Sequence, residues 1–353
     1  MIEKLQKEAL SLLQGLIQIQ SFSKEEDGTA SLLFGWLVER GVAVQRDLHN
    51  VWAVNKYFDA SKPTILLNSH HDTVKPNAAY TRDPFQARIE DGKLYGLGSN
   101  DAGGCLVGLL AAFLYFYEKE NLGYNFVLAA TAEEENSGEY GIAYVLPKLP
   151  AIDFAIVGEP TLLDLAIAEK GLVVFDGTVT GTPGHAAHTQ NEHNPIFKAV
   201  ADLEWLQNYR FPKVSASLGA VKMTVSQINA GKQHNVVPAE LHFVLDCRVN
   251  DCYSNEEVAA IVQENTNCDV QPRSLRLNSS RIDPAHPIVK AGVALGKKTY
   301  GSPTLSDQSR LSCQSLKLGP GDSLRSHSAD EFIYVSEVED GVAFYIEILN
   351  KIV

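Results

Sequence analysis

Apolar residues recur at helical spacing from the start of the chain. Leu5, Leu12, Leu13 and Leu16 fall on one side of residues 1–21, interrupted by Glu3, Lys4, Lys7 and Glu8. That is the pattern of an amphipathic helix and not of a cleaved leader. Short apolar runs follow near 51–55, 64–68, 125–130 and 154–157, with a longer one at 104–118. Short runs without alternation predict strands buried on both faces, and the long run predicts a buried helix. Strand and helix alternate, so this part of the chain is expected to be α/β.

The texture changes at Lys170. Residues 171–181 alternate as a strand, 194–209 have helical period, and 220–228 and 241–249 predict two further strands. Residues 254–267 open with Ser254 and Glu257 at capping-box spacing, which predicts a helix start. A strand at 270–277 completes the order β-α-β-β-α-β, the ferredoxin-like unit, and about 110 residues is a sensible domain size. Helix patterns at 287–295 and 338–352, with a strand at 315–318, return to the first texture. The expected organisation is one α/β domain made of 1–170 and 281–353, with a second domain inserted at 171–280. The sequence has no internal repeat and no low-complexity tract.

Composition narrows the function classes. A chain of 353 residues is long enough for two domains, and 45% hydrophobic with 21% charged residues is ordinary for a folded globular protein. A net charge of -13 disfavours nucleic acid and anionic membrane surfaces as partners. No window reaches the roughly 18 uncharged apolar residues of a membrane span. The five cysteines are odd in number and lack a C-x-x-C pair, signalling neither a disulfide framework nor a thiolate zinc site. A small-molecule substrate and a cytoplasmic location are expected.

Chemistry gathers at the predicted strand ends. In TILLNSHHDTVKP, His70 and Asp72 share a side of an extended chain and His71 faces the other. An Asp accepting the second ring N–H of a metal-ligating His fixes its tautomer. GKLYGLGSNDAGGCLVG places Asp101 before the long helix, where it either caps the helix or serves as a ligand. A dinucleotide fingerprint fails, because Asp101 stands where the third glycine is needed and its charge repels a pyrophosphate. NFVLAATAEEENSG ends a strand in Glu133, Glu134 and Glu135, whose charges repel unless protons or a cation intervene. DFAIVGEPT contributes Glu159, and LKLGPGDSLRSHSADEF contributes His327. Each motif alone has an ordinary explanation. Together they offer two His and three carboxylates, which suit a pair of zinc-like ions bridged by one carboxylate at about 3.5–4 Å. A Glu neighbouring a ligand Glu can then serve as general base.

These motifs resemble, over nearly the whole chain, the cocatalytic zinc deacylases and exopeptidases that include acetylornithine deacetylase, succinyl-diaminopimelate desuccinylase and glutamate carboxypeptidases. The resemblance implies a zinc-exopeptidase-like α/β catalytic domain, with a mixed sheet flanked by helices, and an inserted ferredoxin-like lid that mediates homodimerisation. It implies one zinc or cobalt ion on His70, Asp101 and Glu159 and a second on Asp101, Glu135 and His327. By the same resemblance Asp72 orients His70, and Glu134 takes a proton from the attacking water; strand periodicity alone does not choose Glu134 over Glu133. GTPGHAAH looks like the lid histidine motif, making His185 a donor to the oxyanion, in its own or the partner subunit. Asn235 in QHNVVPAE and Arg248 in LDCRVN sit where family members bind a substrate carboxylate. A cis peptide between Asp101 and Ala102 is a further implication. The sequence departs from the family at Ser69, at Val74-Lys75-Pro76 and at Ala102-Gly103, which leaves the pocket wall open.

Glu159 resembles deacylases and carboxypeptidases and demotes aminopeptidases, which place Asp there. The GEPT and SHSADEF segments look most like the acetylornithine deacetylase branch. The expected reaction is therefore hydrolysis of an N-acyl amino acid in arginine biosynthesis, with N-acetylcitrulline and N-succinyl analogues also open. The alternatives are succinyl-diaminopimelate desuccinylase, a metallo-carboxypeptidase or dipeptidase, and a non-catalytic binding relative. A serine hydrolase lacks its anchor, since no G-x-S-x-G elbow occurs.

Overall fold

In the computed structural model, which describes residues 1–353, the first amphipathic run forms α1 (Ile2–Ile17), with Leu5, Leu12, Leu13 and Leu16 buried. Next comes α2 (Asp27–Glu39), which burial supports through Ala30, Leu33 and Leu37. Its contiguous apolar run from Leu32 to Val38, broken only by Gly35, hides the helical period, so the sequence pattern did not predict it. Strands β1 (Val44–Asp47) and β2 (Asn50–Val54) pair antiparallel. β3 (Thr64–His70) is buried throughout and runs past the expected 64–68, so His70 is its last residue. The hairpin of β4 (Arg88–Glu90) and β5 (Lys93–Tyr95) precedes α3 (Gly104–Tyr117). Contrary to the expectation of no spanning window, Ser99–Tyr117 is long and apolar enough to cross a membrane by length and composition. Its side chains are instead mostly buried in the core, as expected of an all-round apolar helix. β6 (Asn125–Thr131), the short α4 (Ile142–Val145), β7 (Phe154–Val157) and β8 (Leu165–Glu169) follow.

At Ala168 the chain enters a second compact unit, Ala168–Ser280 with Gly301–Leu305. β9 (Gly171–Thr180) alternates buried and exposed residues. After the two-residue β10 (Gly184–His185), α5 (Pro195–Asn208) starts with the Asn194 side chain accepting from the Ile196 N–H. β11 (Lys222–Ala230), the short β12 (Val236–Val237) and β13 (Glu240–Val249) precede α6 (Asn255–Asn265), whose Ser254 and Glu257 close the capping box. β14 (Asp269–Pro272) stops earlier than the predicted 270–277; Pro272 has no N–H to extend a ladder. The antiparallel order β14-β9-β13-β11 is that of a ferredoxin-like unit. Both helices pack on one face, Ala199 and Leu206 of α5 and Val258 and Val262 of α6 against Val173, Phe175, Leu245 and Cys247.

The chain returns through β15 (Ser280–Arg281), α7 (Pro287–Ala294), β16 (Thr299–Ser302), β17 (Gln314–Lys317), β18 (Phe332–Tyr334) and α8 (Val335–Asn350). The first unit is thus Met1–Ile167, Arg281–Tyr300 and Ser306–Val353. Its central sheet runs β1-β2-β6-β3-β7-β17-β8. β6, β3, β7 and β17 are parallel neighbours, while β2 and β8 pair antiparallel, so the sheet is mixed. One face buries Ile65, Leu67, Phe126 and Leu128 against Leu13, Phe113, Phe116 and Tyr345 from α1, α3 and α8. The other buries Trp52, Leu66, Val127 and Ala155 against Ile142 and Val145 of α4. Parallel strands end on one edge, where open α/β sheets hold ligands. Four segments leave that edge: His70 at the end of β3, Glu133 to Glu135 beyond β6, Glu159 beyond β7, and the turn toward His327 beyond β17.

Candidate metal centre

The side chain of His70 is 1% exposed. Its Nδ1 lies 3.0 Å from the Asp72 carbonyl oxygen and 3.4 Å from Asp72 Oδ1, so the main chain makes the shorter contact. Its Nε2, though buried, has no hydrogen-bond partner. That nitrogen faces Asp101 Oδ1 at 3.4 Å, Glu134 Oε2 at 3.9 Å and Glu159 Oε1 at 3.9 Å. His71 points the other way, to Thr29 Oγ1 at 2.9 Å and the His49 carbonyl at 2.8 Å, as strand alternation requires. The Asp72 carboxylate accepts from Ser23 Oγ at 2.7 Å and from the Glu134 and Glu135 N–H groups at 3.0 and 3.2 Å. It therefore fixes the glutamate turn as well as flanking His70.

Asp101 sits in a turn shaped by glycine. Gly98 has φ 75°, and a Cβ there would fall 2.6 Å from Thr73 Cγ2, so the glycine serves close packing. The Asp101–Ala102 peptide is cis. Asp101 does not cap α3, whose N-cap is Gly103 without a side-chain bond; its carboxylate faces the histidines instead. Glu133 turns away: it has φ 56°, and its Oε2 accepts from the Tyr140 N–H at 3.4 Å. Among the three glutamates, then, Glu134 approaches His70, and Glu135 Oε2 lies 2.9 Å from His327 Nε2. His327 Nε2 is also 3.6 Å from Asp101 Oδ2. Two ligand groups result, His70-Asp101-Glu159 and Asp101-Glu135-His327, each with its donor atoms within 4.8 Å of one another.

The electrostatics are those of a site crowded with acids. Burial pushes the Glu134 carboxyl well above its usual range, and Glu159, Asp307 and Glu135 add to this. Burial pulls the His70 imidazole down, but Asp101 and Asp72 outweigh it and leave it raised. His327 is pushed up to about 9, chiefly by its bond to Glu135. Asp307 is pushed up to about 6 and Glu331 up to about 8, both mainly by burial. Cations placed among these groups would offset the repulsion. The unpartnered His70 Nε2 and the imidazole and carboxylate donors fit two divalent ions of zinc type. No thiolate competes: Cys105 is buried with Sγ donating to the Pro320 carbonyl at 3.3 Å.

Three acidic neighbours of the site escaped the sequence reading: Glu26, Asp307 and Glu331. Glu26 accepts from the Glu133 N–H at 3.2 Å, Asp307 from Thr131 Oγ1 at 2.8 Å, and Glu331 from the Asp101 N–H at 3.0 Å. Nothing in their local sequence distinguishes them from other loop acids. Only Glu331 lay in a quoted motif.

The remaining site candidates belong to the second unit. His185 pairs with Val236 across β10 and β12, its Nδ1 accepts from the Ala187 N–H at 3.2 Å, and it is exposed. Asn235 is its neighbour, the Asn235 carbonyl accepting from the Ala186 N–H at 3.0 Å. Arg248, on β13, holds Asp246 with Nε and Nη2 at 2.9 and 3.1 Å, so part of its fork is already engaged.

The profile of peptidase family M20/M25/M40 matches residues 66–351. A succinyl-diaminopimelate desuccinylase from Rickettsia felis is 30% identical over 278 residues, covering 72% of this chain and 72% of that protein. An M20 family metallo-carboxypeptidase from Sulfolobus solfataricus has a similar fold, with TM-score 0.76 and 17% identity over 98% of this chain and 99% of that one. A dinuclear metal binding peptidase of the M20 family from Bacillus subtilis has TM-score 0.75 and 14% identity over 98% of each chain.

Proposed function

The chain belongs to peptidase family M20/M25/M40 and is a metal-dependent amidohydrolase, and from that premise we propose that it deacylates an N-acyl amino acid. The observation that carries this reading is the pair of ligand groups meeting at Asp101 with Glu134 beside them. His70, Asp101 and Glu159 hold one ion, and Asp101, Glu135 and His327 the other. Bound there, zinc or cobalt supplies Lewis-acid polarisation of a carbonyl and lowers the pKa of water. The protein's own contribution is proton transfer. Glu134 accepts the proton that the attacking water loses and delivers it to the leaving amine, a task its place beside both ligand groups, 3.9 Å from His70 Nε2, suits. His185 donates to the developing oxyanion, and Asn235 and the free edge of Arg248 receive the substrate's carboxylate.

The relatives named succinyl-diaminopimelate desuccinylase put the succinyl substrate first. N-acetylornithine, favoured by the GEPT and SHSADEF segments, comes second. Hydrolysis of both, together with N-acetylcitrulline and the succinyl analogues of ornithine and citrulline, tests the reading with and without chelator. One substrate should stand out and its turnover should vanish with the metal. Two bound ions with no hydrolysis of any of them would favour a binding protein instead.

A homodimer through the second unit is part of the same reading. Ile196, Phe197 and Val200 of α5 are 42%, 54% and 54% exposed, and β11 is an edge strand carrying the half-exposed Ile228. Monomer mass by light scattering at micromolar concentration would sink it.

A further inference from the structure

We propose that Glu331 is a positioning residue, whose carboxylate fixes the Gly98–Asp101 turn and through it the ligand shared by both ion positions. The inference rests on the two-ion reading above and extends it to a residue outside the ligand set. Glu331 is 2% exposed. Its Oε1 accepts from the Asn100 and Asp101 N–H groups at 2.8 and 3.0 Å, and its Oε2 from the Gly98 N–H at 3.1 Å. Its main-chain carbonyl accepts from the Gly96 N–H at 3.0 Å. One residue thus satisfies four donors of a turn that has no strand ladder of its own.

The residue beneath the turn is itself fixed. It directly precedes β18, whose Phe332 pairs with Tyr95 of β5, and β5 leads into Gly96. The chemistry selects a carboxylate. Ionised, as a cation beside Asp101 would favour, it is acceptor-only with about four lone-pair sites, whereas Gln presents an NH₂ group that would face the Gly98 or Asp101 donor. A buried carboxylate bonded this way costs free energy to desolvate, which a hydrophobic residue in the same place would not incur. The device recurs at the neighbouring turn, where Asp72 accepts from the Glu134 and Glu135 N–H groups and Glu26 from Glu133. Because Asp101 belongs to both ligand groups, loosening its turn acts on both ions.

Zinc affinity tests this, measured on the full chain against buffered free zinc, with the unfolding midpoint of the chelated protein as a second readout. Glu331→Gln should weaken both ions about 10- to 100-fold, the usual loss for an outer partner of a ligand. Unchanged zinc affinity with a lowered midpoint would reduce Glu331 to a structural role and overturn the proposal, as would weakening confined to one ion. Should Glu331→Gln not fold, Glu331→Asp, which keeps the charge and withdraws it by one methylene, is read the same way. A wild type that binds no zinc would sink the two-ion reading itself; a wild type with two ions and an unaffected variant sinks only this inference.

Discussion

His70 and His327 stand at opposite ends of one ligand cluster, the first side chain 1% exposed and the second 54% exposed. His70 ends a strand paired on both sides, to β7 as far as Asn68 and to β6 through His70 itself, so a ladder holds its backbone. Glu159 follows β7 closely and shares that support. His327 lies in a loop at φ 58°, tied down by side chains. Asn77 Nδ2 donates to its carbonyl at 3.2 Å, and Arg325 grips Glu337 of α8 with two bonds of 2.6 and 2.7 Å. The strand-borne half is fixed as the sheet forms, whereas the loop-borne half is held by a few side-chain bonds, exposed at Asn77 and partly buried at Arg325 and Glu337. The expected consequence is two ions of unequal affinity.

Glu134 belongs to neither half, and its replacement gives the largest expected effect. Glu134→Gln should lower kcat by about 10²- to 10⁴-fold, the range for loss of a general base, with zinc content unchanged. A parallel loss of zinc would make Glu134 a ligand and dissolve the division into halves. Next in size is the contrast between the histidines. His327→Ala should release one ion and retain the other, and chelator should strip the wild type in two stages, the loop-borne ion first. His70→Ala should lower zinc binding more severely, since a buried site loses its only imidazole. Metal content after dialysis decides it; equal losses in the two variants would erase the comparison.

The strand-borne half was also the legible one. The apolar runs ending at His70, before Glu133 and before Glu159 mark buried parallel strands, and residues just past them fall on the ligand edge by topology. Asp101 and His327 entered only through the joint pattern and took their ligand roles from the resemblance, because a glycine turn and a loop carry no period. The choice of Glu134 over Glu133 depends on a single φ of 56° at Glu133, which alternation does not encode. Glu26, Asp307 and Glu331 were invisible for a related reason. Glu26 and Glu331 act on turns and Asp307 on the last residue of β6, each distant in sequence, Glu331 lying 230 positions from Asp101, and no local pattern records such a meeting. In the second unit the capping box and strand alternation were readable, whereas which carboxylate engages Arg248 was not.

Acid sensitivity sharpens the comparison further, because the strand-borne half rests on a neutral histidine. Burial pushes His71 down to about 4 from 6.5. The unfolded chain therefore takes up a proton below 6.5 that the folded chain refuses. Stability from His71 is present above 6.5 and is lost as pH falls toward about 4, at most on the order of 3 kcal/mol. Asp307, pushed up to about 6, works in the opposite direction, its folded form favoured as pH falls through that value. Only a difference isolates His71. Denaturant unfolding of chelated wild type and His71→Gln, at about pH 7 and about pH 5, should show the smaller acid loss in the variant. Equal losses would mean that His71 does not carry the acid sensitivity of this half.

The smallest effect tests the softness of the loop-borne half directly. Asn77 lies in the stretch beyond Asp72 where the sequence departs from the family, and its amide contact to the His327 carbonyl is exposed. A hydrogen bond of this kind contributes about 0.5–1.5 kcal/mol net, so Asn77→Ala should weaken the loop-borne ion by roughly 2- to 10-fold. The strand-borne ion should be unaffected, because Asn77 has no bond to β3, β7 or the Asp101 turn. The neighbouring bonds from Thr81 and Arg82 to Asp330, at 2.9 Å for each N–H, remain to hold the rest of the loop, which keeps the expected change small. Zinc titration that resolves two affinities checks it. A shift of the tighter constant, or of both equally, would show that the two halves respond as one rigid body despite the difference in their exposure.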